Sequence, residues 1–532
     1  MTKESFLRGA VILALASLIN RVIGLVYMII LPRLIYDEGM GLYQLIKPIH
    51  YFAAVVAISG MPVAISKLIA EKVARGSIKG VKSVFRIGTV IMVATGGIVA
   101  ITLSFGSQWL AKGFAGDVGV QSSLIVLGPA CFFLAISAAF RSYFHGLQHM
   151  TPTAVSQIVD QFVRVIATIL ITLWFRPMGV EKTVTGLAWG SLCGEFFGWF
   201  VLWVIYMIKG PSLLPKAMNL KRYEERESIK TIVYRLVSLA APAVMATILW
   251  PIMQLADSWL IPLKMRSMGF PNEFIREGLG HLGMALTLAQ FPNIITVALA
   301  TSLVPAISEA WALKSKRLIR HRVEESLRIA LIFGMPCFAL LTSLATPLSR
   351  TLFGYSEVGE PLRILAIGAI SLGLIQAATG ILQGLGKMSI PVRNLAFGAV
   401  LKFALNYILV SNPKLGVLGA AWSTTIVWGV IASLNMISVF RRVGAVIRWK
   451  SGLLYPLLAS GAMGILAYYL QDTFANFMPI GIVTIISLIL CFVLYFLILM
   501  VLGGLEKRDI HLIPVYGRGL AEFLQEWGFL RS

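Results

Sequence analysis

Long apolar segments, each about as long as one membrane crossing, alternate with short polar breaks along the whole chain. A membrane-spanning helix needs about 20 apolar residues, so we take each segment as one span and end it at charged or Pro- and Gly-rich breaks. The pattern predicts an all-α integral membrane protein with fourteen transmembrane helices. The predicted spans are 9–31, 42–68, 84–105, 122–144, 153–175, 184–208, 232–260, 280–308, 326–349, 361–385, 390–411, 416–440, 452–470 and 478–502.

The composition agrees with this pattern. Of the 532 residues, 58% are hydrophobic and only 13% are charged, and the mean hydropathy is +0.83. Soluble domains are about 25% charged. A soluble enzyme, a fibrous protein and a disordered chain are therefore excluded.

The excess of basic residues reports orientation. The chain has 46 Lys and Arg against 24 Asp and Glu, a net charge of +22, and most of the basic residues lie at the ends of apolar segments on one side. Positively charged loops stay in the cytoplasm, so we expect a bacterial plasma-membrane protein with both termini cytoplasmic. The charge is explained by topology and by anionic head groups, and no nucleic-acid partner is expected.

Short blocks recur in the same order in the two halves, which indicates an internal duplication. An even number of spans in each copy makes the copies parallel, so two pseudo-symmetric six-helix lobes should surround a central cavity. The matched blocks are FRI 85–87 with LRI 327–329, GDVG 116–119 with SEVG 356–359, GLQHM 146–150 with GLGKM 384–388, and GLAWGS 186–191 with GAAWST 419–424.

The duplication predicts a division of the chain into five parts. They are an N-lobe (1–208), a cytoplasmic linker (209–231), a C-lobe (232–440), two added helices (441–503) and a cytoplasmic amphipathic tail (504–532). Duplicated membrane lobes are typical of transporters that work by alternating access.

Charged residues inside the spans are the candidate site. An ionised group at mid-membrane costs about 2.5–3.5 kcal/mol on insertion scales, so it should face protein or water. In the fifth span Arg164 lies four residues after Asp160. The spacing of the repeated blocks makes Lys402 the residue of the second half that is equivalent to Arg164. The predicted substrate-binding residues of the central cavity are Arg21, Arg164, Lys402, Asp160 and Asn406.

Three cations with few acids suit an anionic ligand such as a phosphate or diphosphate. The alternative left open is that each cation neutralises a carboxylate and joins two helices. Glu195 and Asp257 are candidate positions for a coupling ion, or pair with Arg21 or with backbone. No metal motif, cofactor motif or catalytic triad was found, so neither a metal nor a cofactor is predicted, and we expect no enzyme activity.

Four segments of the chain resemble a known family. They are FLRGAVILALASLINRVIGLVY, EGMGLYQL, GMPVAISKLIAEKVARG and GLQHMTPTAVSQIVDQFVRVI. They are similar to the stage V sporulation protein B family of endospore-forming bacteria, in the polysaccharide-export branch of the multidrug, oligosaccharidyl-lipid and polysaccharide exporter superfamily.

The resemblance implies fourteen helices, two lobes, and a flippase that moves a polyprenyl-diphosphate-linked saccharide for spore cortex or wall peptidoglycan. Arg21 in NRVIGL matches the first-helix arginine of the related lipid II flippases, whereas Tyr27 stands where they have a second arginine. Membrane lipids are the implied surroundings of a monomer, and a coupling cation and cell wall synthesis proteins are left open as partners. The alternative function is a cation-coupled multidrug antiporter of the same fold.

Overall fold

The computed structural model describes residues 3–210, 227–444, 449–474 and 476–504, and the regular elements in these ranges are helical. The α-helices are α1 (Lys3–Ile58), α2 (Met61–Ala74), α3 (Ile78–Phe105), α4 (Ser107–Trp109), α5 (Gln121–Gly146), α6 (Thr151–Phe175), α7 (Val180–Lys209), α8 (Ile229–Ser267), α9 (Asn272–Gln290), α10 (Asn293–Ala312), α11 (Lys316–Ser343), α12 (Ala345–Phe353), α13 (Gly359–Gly384), α14 (Ser389–Val410), α15 (Val417–Val443), α16 (Tyr455–Phe474) and α17 (Ile480–Val501).

The described part of the chain contains 11 helices long and apolar enough to cross a membrane, or 12 if the bent helix α8 counts as one span. The predicted all-α multi-pass architecture is confirmed, but the count of fourteen is not. One candidate, Val11–Ala74, is 64 residues long. At 1.5 Å per residue it would extend about 100 Å if straight, about three times the hydrocarbon thickness of a bilayer. It therefore holds more than one crossing.

The backbone breaks inside this long candidate at two places. Tyr36 lies at φ 60°, ψ 177°, which splits α1, and Ser59 and Gly60 have φ 47° and 65° at the start of α2. A non-glycine residue at positive φ is uncommon and interrupts helical hydrogen bonding. The polar stretch between the first two predicted spans is thus absorbed into a bent, nearly continuous helix.

The eighth predicted span, 280–308, is divided between α9 and α10. The break falls at Phe291 and Pro292, because proline has no amide hydrogen and disfavours helical backbone in the residue before it. Neither part is a candidate span by itself. This division and the merged first spans account for the difference between fourteen and twelve, and the count of eleven also omits the bent α8.

The chain forms two compact units, Met1–Gly280 and His281–Ser532. In the first, α5 and α6 each pack against α7, and α8 packs against α1 and α2. In the second, α13 packs against α11 and α15, α14 packs against α15, and the last two helices pack on each other and on α11 and α12. The Tyr495 hydroxyl anchors α17 by donating to the Ile332 carbonyl of α11 at 2.6 Å.

The five predicted parts of the chain remain predictions. Most of the predicted linker, 211–226, and the predicted tail from 505 onward lie outside the described residues. The helix that follows the linker, α8, belongs to the first compact unit. Serine hydroxyls cap the starts of α3, α8 and α11, because Ser77, Ser228 and Ser315 each accept a hydrogen bond from an amide of the first turn.

Candidate functional site

A row of polar residues spaced four apart on α6 packs against a row of glycines on α7. Ser156, Asp160, Thr168 and Thr172 are buried on α6. Gly186, Gly190, Gly194 and Gly198 recur every four residues on α7 and face this row. A Cβ atom at Gly194 would stand 2.7 Å from Asp160 Oδ1 and 2.8 Å from Arg164 Cβ. The glycines therefore allow the two helices to approach closely enough for charged groups to meet across them.

A cluster of four charges lies at this helix contact. One terminal nitrogen of Arg164 donates to Asp160 Oδ1 at 2.7 Å and to Glu195 Oε1 at 2.8 Å. A terminal nitrogen of Arg141, on α5, is 3.7 Å from the other Asp160 oxygen. Two cations and two carboxylates balance to zero, which is how a low-dielectric interior tolerates ionised groups.

Arg164 also lines a cavity within the first unit, bounded by α1, α5, α6 and α7. The cavity holds about 300 Å³. Its wall includes Lys47, His50, Tyr43 and Gln161, and Lys47 lies over the Tyr43 ring with its ammonium 6.0 Å from the ring centre. No described residue that lines it is an Asp or Glu. The cavity therefore presents basic and neutral polar groups, while the carboxylates that balance Arg164 lie behind it.

Lys47 and His50 are site residues that the sequence analysis missed. Both residues lie on α1 beside the cavity, within the segment 42–68 that the apolar pattern predicted as the second span. Tyr43, Lys47 and His50 are spaced four and three residues apart, which places them on one helical face. That periodicity was the available signal, and it lay inside a segment predicted as an apolar span.

The other predicted site residues lie elsewhere. Arg21 is exposed on α1, and the cavity wall contains its neighbours Asn20 and Gly24 but not Arg21 itself. Asp257 is half-buried on α8. The structure thus groups Arg164, Asp160 and Glu195, and leaves Arg21 outside that group.

Lys402 and Asn406 belong to the second unit, where both are buried on α14. The Lys402 ammonium donates to the Thr424 hydroxyl and, at 3.5 Å, to the Ala420 carbonyl, both on α15. The contact links α14 to α15 as Arg164 links α6 to α7, but the oxygens named here are neutral.

A second charge cluster, outside the spans, is centred on Arg276 of α9. Its guanidinium donates to Asp117 at 2.7 and 2.8 Å, to Glu38 at 2.6 Å and to Glu181 at 3.3 Å. Burial raises the pKa of the Asp117 carboxyl, but hydrogen bonds from Arg276 and the Gly119 amide outweigh it and hold that pKa below its ordinary value. The hydrogen bond that Arg276 donates to Asp117 is the main reason that the pKa of Arg276 is raised.

A third cluster ties the start of α8 to the end of α2. Glu227 pairs with Lys72 at 2.5 Å and with Arg235 at 3.3 Å, and Arg235 pairs with Glu71 at 2.5 Å. The hydrogen bond from Lys72 lowers the pKa of Glu227, and Arg235 adds to the effect. These contacts and the Arg276 cluster hold α8 and the first turns of α9 in the first unit.

Comparison with known proteins gives this geometry a family context. Residues 6–311 match the family described as "Polysaccharide biosynthesis protein", and residues 242–408 match the one described as MatE. The chain is 26% identical to stage V sporulation protein B of Bacillus subtilis (strain 168), over 97% of this chain and 99% of that protein. It is 26% identical to the lipid II flippase MurJ of the same organism, over 83% and 84% of the two chains.

A solved structure has the same fold. The lipid II flippase MurJ in an inward closed conformation aligns with a TM-score of 0.68 at 15% identity, over 94% of this chain and 99% of that one. The activity that these names state is that of a flippase, in agreement with the prediction that the chain is not an enzyme.

Proposed function

The chain belongs to the polysaccharide biosynthesis protein family, and we propose that it is a flippase that moves a polyprenyl-diphosphate-linked saccharide across the plasma membrane by alternating access. The cargo is a lipid II-like precursor of peptidoglycan or of the spore cortex. The similarity to a lipid II flippase and to a sporulation protein supports this class of cargo.

The observation that carries the proposal is the basic cavity of the first unit. A diphosphate needs several hydrogen-bond donors and positive charge, and Arg164, Lys47 and the polar side chains around them supply both. Arg164 is held in place by Asp160 and Glu195, so its guanidinium needs little reorganisation to accept an anion. The polyprenyl chain stays in the bilayer while the head group crosses.

The proposal also covers the number and arrangement of the helices, the orientation of the termini and the remaining site residues. We propose fourteen helices arranged as two six-helix lobes with two added helices, and termini in the cytoplasm. Arg21, Lys402 and Asn406 contact the cargo head group at another stage of the cycle. Glu195 and Asp257 are the positions for a coupling cation.

The test is transport in vesicles that contain the purified protein and a labelled polyprenyl-diphosphate sugar, with and without pH and sodium gradients. Arg164→Ala and Lys47→Ala should each reduce flipping at least tenfold. Lys82→Ala, which removes an exposed cation on α3, should leave it unchanged. Equal flipping by all four proteins would contradict the proposed site.

A cation-coupled multidrug antiporter is the second candidate. The match of residues 242–408 to MatE and the buried carboxylates Asp160 and Glu195 favour it. Drug efflux that depends on a cation gradient and is lost in Glu195→Gln, together with no flipping of the lipid-linked sugar, would establish this function instead.

A further inference from the structure

Glu195 has one carboxylate oxygen that is buried without a hydrogen bond to any described residue. The residue is only 5% exposed, its Oε1 accepts from Arg164 at 2.8 Å, and its Oε2 has no hydrogen-bond partner in the described part of the chain. A buried, unpaired oxygen of an ionised carboxylate is costly, because the interior cannot replace the water it has lost. Protonation of that oxygen removes the charge and lowers the cost.

Asp160 differs from Glu195 in this respect. Its Oδ1 accepts from Arg164 at 2.7 Å, and its Oδ2 lies 3.7 Å from Arg141. Each Asp160 oxygen thus has a cation within 4 Å, whereas the close ion pair of Glu195 is with Arg164, and Arg141 acts on it from a longer distance. If Arg164 turns to another anion, Glu195 loses its close ion pair and Asp160 keeps one.

Arg164 can make that change without leaving its place. The same terminal nitrogen of Arg164 donates to both carboxylates, its Nε has no hydrogen-bond partner among the described residues, and the side chain lines the cavity. An anionic group that enters the cavity competes with Glu195 for the guanidinium. The cluster, neutral before, would then carry an uncompensated negative charge in a low-dielectric region.

We propose that Glu195 takes up a proton from the aqueous side when an anionic group binds beside Arg164, so that proton and anion binding are linked. The inference rests on the proposed function, since it takes Arg164 as a ligand of the cargo diphosphate. The bond formed is the O–H bond of the Glu195 carboxylic acid, and the proton comes from water or buffer. The neutral acid releases Arg164 to the anion.

The groups around Glu195 favour a proton over a metal cation. The Arg164 guanidinium at 2.8 Å repels a metal ion, whereas a proton needs only the unpaired oxygen. Among the described residues, no group of three or more His, Cys, Asp or Glu side chains could hold a metal. Three groups of titratable and charged residues face this region. They are Cys131, Arg141 and His145 of α5, Asp160 and Arg164 of α6, and Tyr27, Tyr43, Lys47 and His50 of α1.

Linkage gives the expected size of the effect. If one proton binds with each anion, the affinity for the anion falls by up to about tenfold for each unit of rising pH. Glu195→Gln imitates the protonated state. It should bind the anion at least as tightly as the unchanged protein, with less dependence on pH.

The experiment is calorimetry of farnesyl diphosphate binding to the full chain in nanodiscs, in buffers of different ionisation enthalpy. The unchanged protein should take up as much as one proton more than Glu195→Gln, because protons carried by the ligand itself are common to both. The control is Glu181→Gln, the same substitution at the start of α7, where the side chain is 56% exposed. Its proton uptake should equal that of the unchanged protein. Glu195→Asp, which keeps a titratable group, should restore part of the uptake.

His50 is the competing acceptor, because it also lines the cavity. Proton uptake that persists in Glu195→Gln and disappears in His50→Gln would overturn the assignment. Anion binding with equal proton uptake in the unchanged protein and Glu195→Gln would overturn the linkage while leaving the flippase proposal standing. Binding that is unaffected by Arg164→Gln, or no binding by the unchanged protein, would overturn both.

Discussion

Two helix pairs each hold a buried cation, but the cations contact different groups. The pairs are α6 with α7 and α14 with α15. Arg164 meets two carboxylates, Asp160 and Glu195. Lys402 is 2% exposed and donates to a hydroxyl and a backbone carbonyl. By the spacing of the repeated blocks, Gly398 corresponds to Asp160 and the buried ring of Trp428 corresponds to Glu195.

The difference indicates that the two carboxylates are a feature of the first pair, because α14 and α15 contain no Asp or Glu. A cation at the equivalent position is kept in both copies, while the acids are present only in the first. In the second pair, neutral polar contacts such as the 2.8 Å amide hydrogen bond between Asn394 and Asn435 join the helices. We therefore expect charge substitutions to have larger effects in α6 and α7 than in α14 and α15.

The largest effect is expected from Arg164→Met. Removing the guanidinium leaves two buried carboxylates without their main partner, which costs about 3–5 kcal/mol of the free energy of unfolding. Unfolding of the purified protein by titration with a denaturing detergent measures the loss. The double variant Arg164→Met, Glu195→Gln should recover most of it, because the charges that remain, Asp160 and Arg141, balance each other. A double variant as unstable as Arg164→Met would show that the cost comes from packing and not from charge.

The next largest effect concerns the glycine row. Gly194→Ala places a Cβ atom 2.7 Å from Asp160 Oδ1 and 2.9 Å from its carbonyl oxygen, so α6 and α7 must separate, at a cost of about 2–3 kcal/mol. The matched control is Gly429→Ala on α15, where a Cβ would meet nothing within 4 Å. Thermal melting of both variants checks this. Equal melting temperatures would mean that close approach at Gly194 is not needed.

The sequence was sufficient for what depends on local spacing. The apolar periodicity predicted a multi-pass all-α protein, and the four-residue spacing predicted the contact between Asp160 and Arg164, since residues i and i+4 share a helical face. The sequence could not decide which partner Glu195 takes. From the sequence, both Arg21 and a backbone group are possible partners of Glu195. In the structure its partner is Arg164, which lies 31 residues away on the neighbouring helix.

Contacts between helices depend on register, which the sequence specifies only through packing of whole faces. The glycines of α7 fix its register on α6. In the sequence they cannot be told apart from the small residues that are common in any membrane helix. The Arg276 cluster was missed for the same reason, because its acids come from three separated segments. The count of fourteen spans is not confirmed, because the polar stretch at Tyr36 lies inside a bent, nearly continuous helix and the eighth predicted span is broken at Pro292.

A smaller effect should distinguish the equivalent acids Asp117 and Glu357 of the repeated GDVG and SEVG blocks. Asp117 is buried against Arg276, and Glu357 is exposed. Asp117→Asn should therefore cost about 1.5 kcal/mol, as expected for weakening a charged hydrogen bond, and Glu357→Gln less than about 0.5 kcal/mol. Melting temperatures measured at pH 7 test the contrast, and equal losses would contradict it.

Low pH should reduce the stability that is lost in Asp117→Asn. The pKa of Asp117 is lower in the folded chain than in the unfolded one, so its contribution is present above the unfolded value, about 3.9, and is lost as pH falls through the folded value. The stability gap between the unchanged protein and Asp117→Asn should narrow below about pH 4. A gap that is constant from pH 7 to pH 3 would mean that Asp117 acts without its charge.

The smallest effect is expected from Thr424→Ser. Serine keeps the hydroxyl that accepts from Lys402, so the neutral contact survives and the free energy of unfolding should change by less than about 0.5 kcal/mol. Thr424→Val removes the hydroxyl and should cost more, since the buried Lys402 ammonium then loses one of its hydrogen-bond acceptors. Thermal melting of both variants decides whether the hydroxyl or the shape of Thr424 matters. If the two substitutions lower the melting temperature equally, the hydroxyl does not hold Lys402. The interpretation that a neutral hydroxyl stabilises this cation would then be wrong.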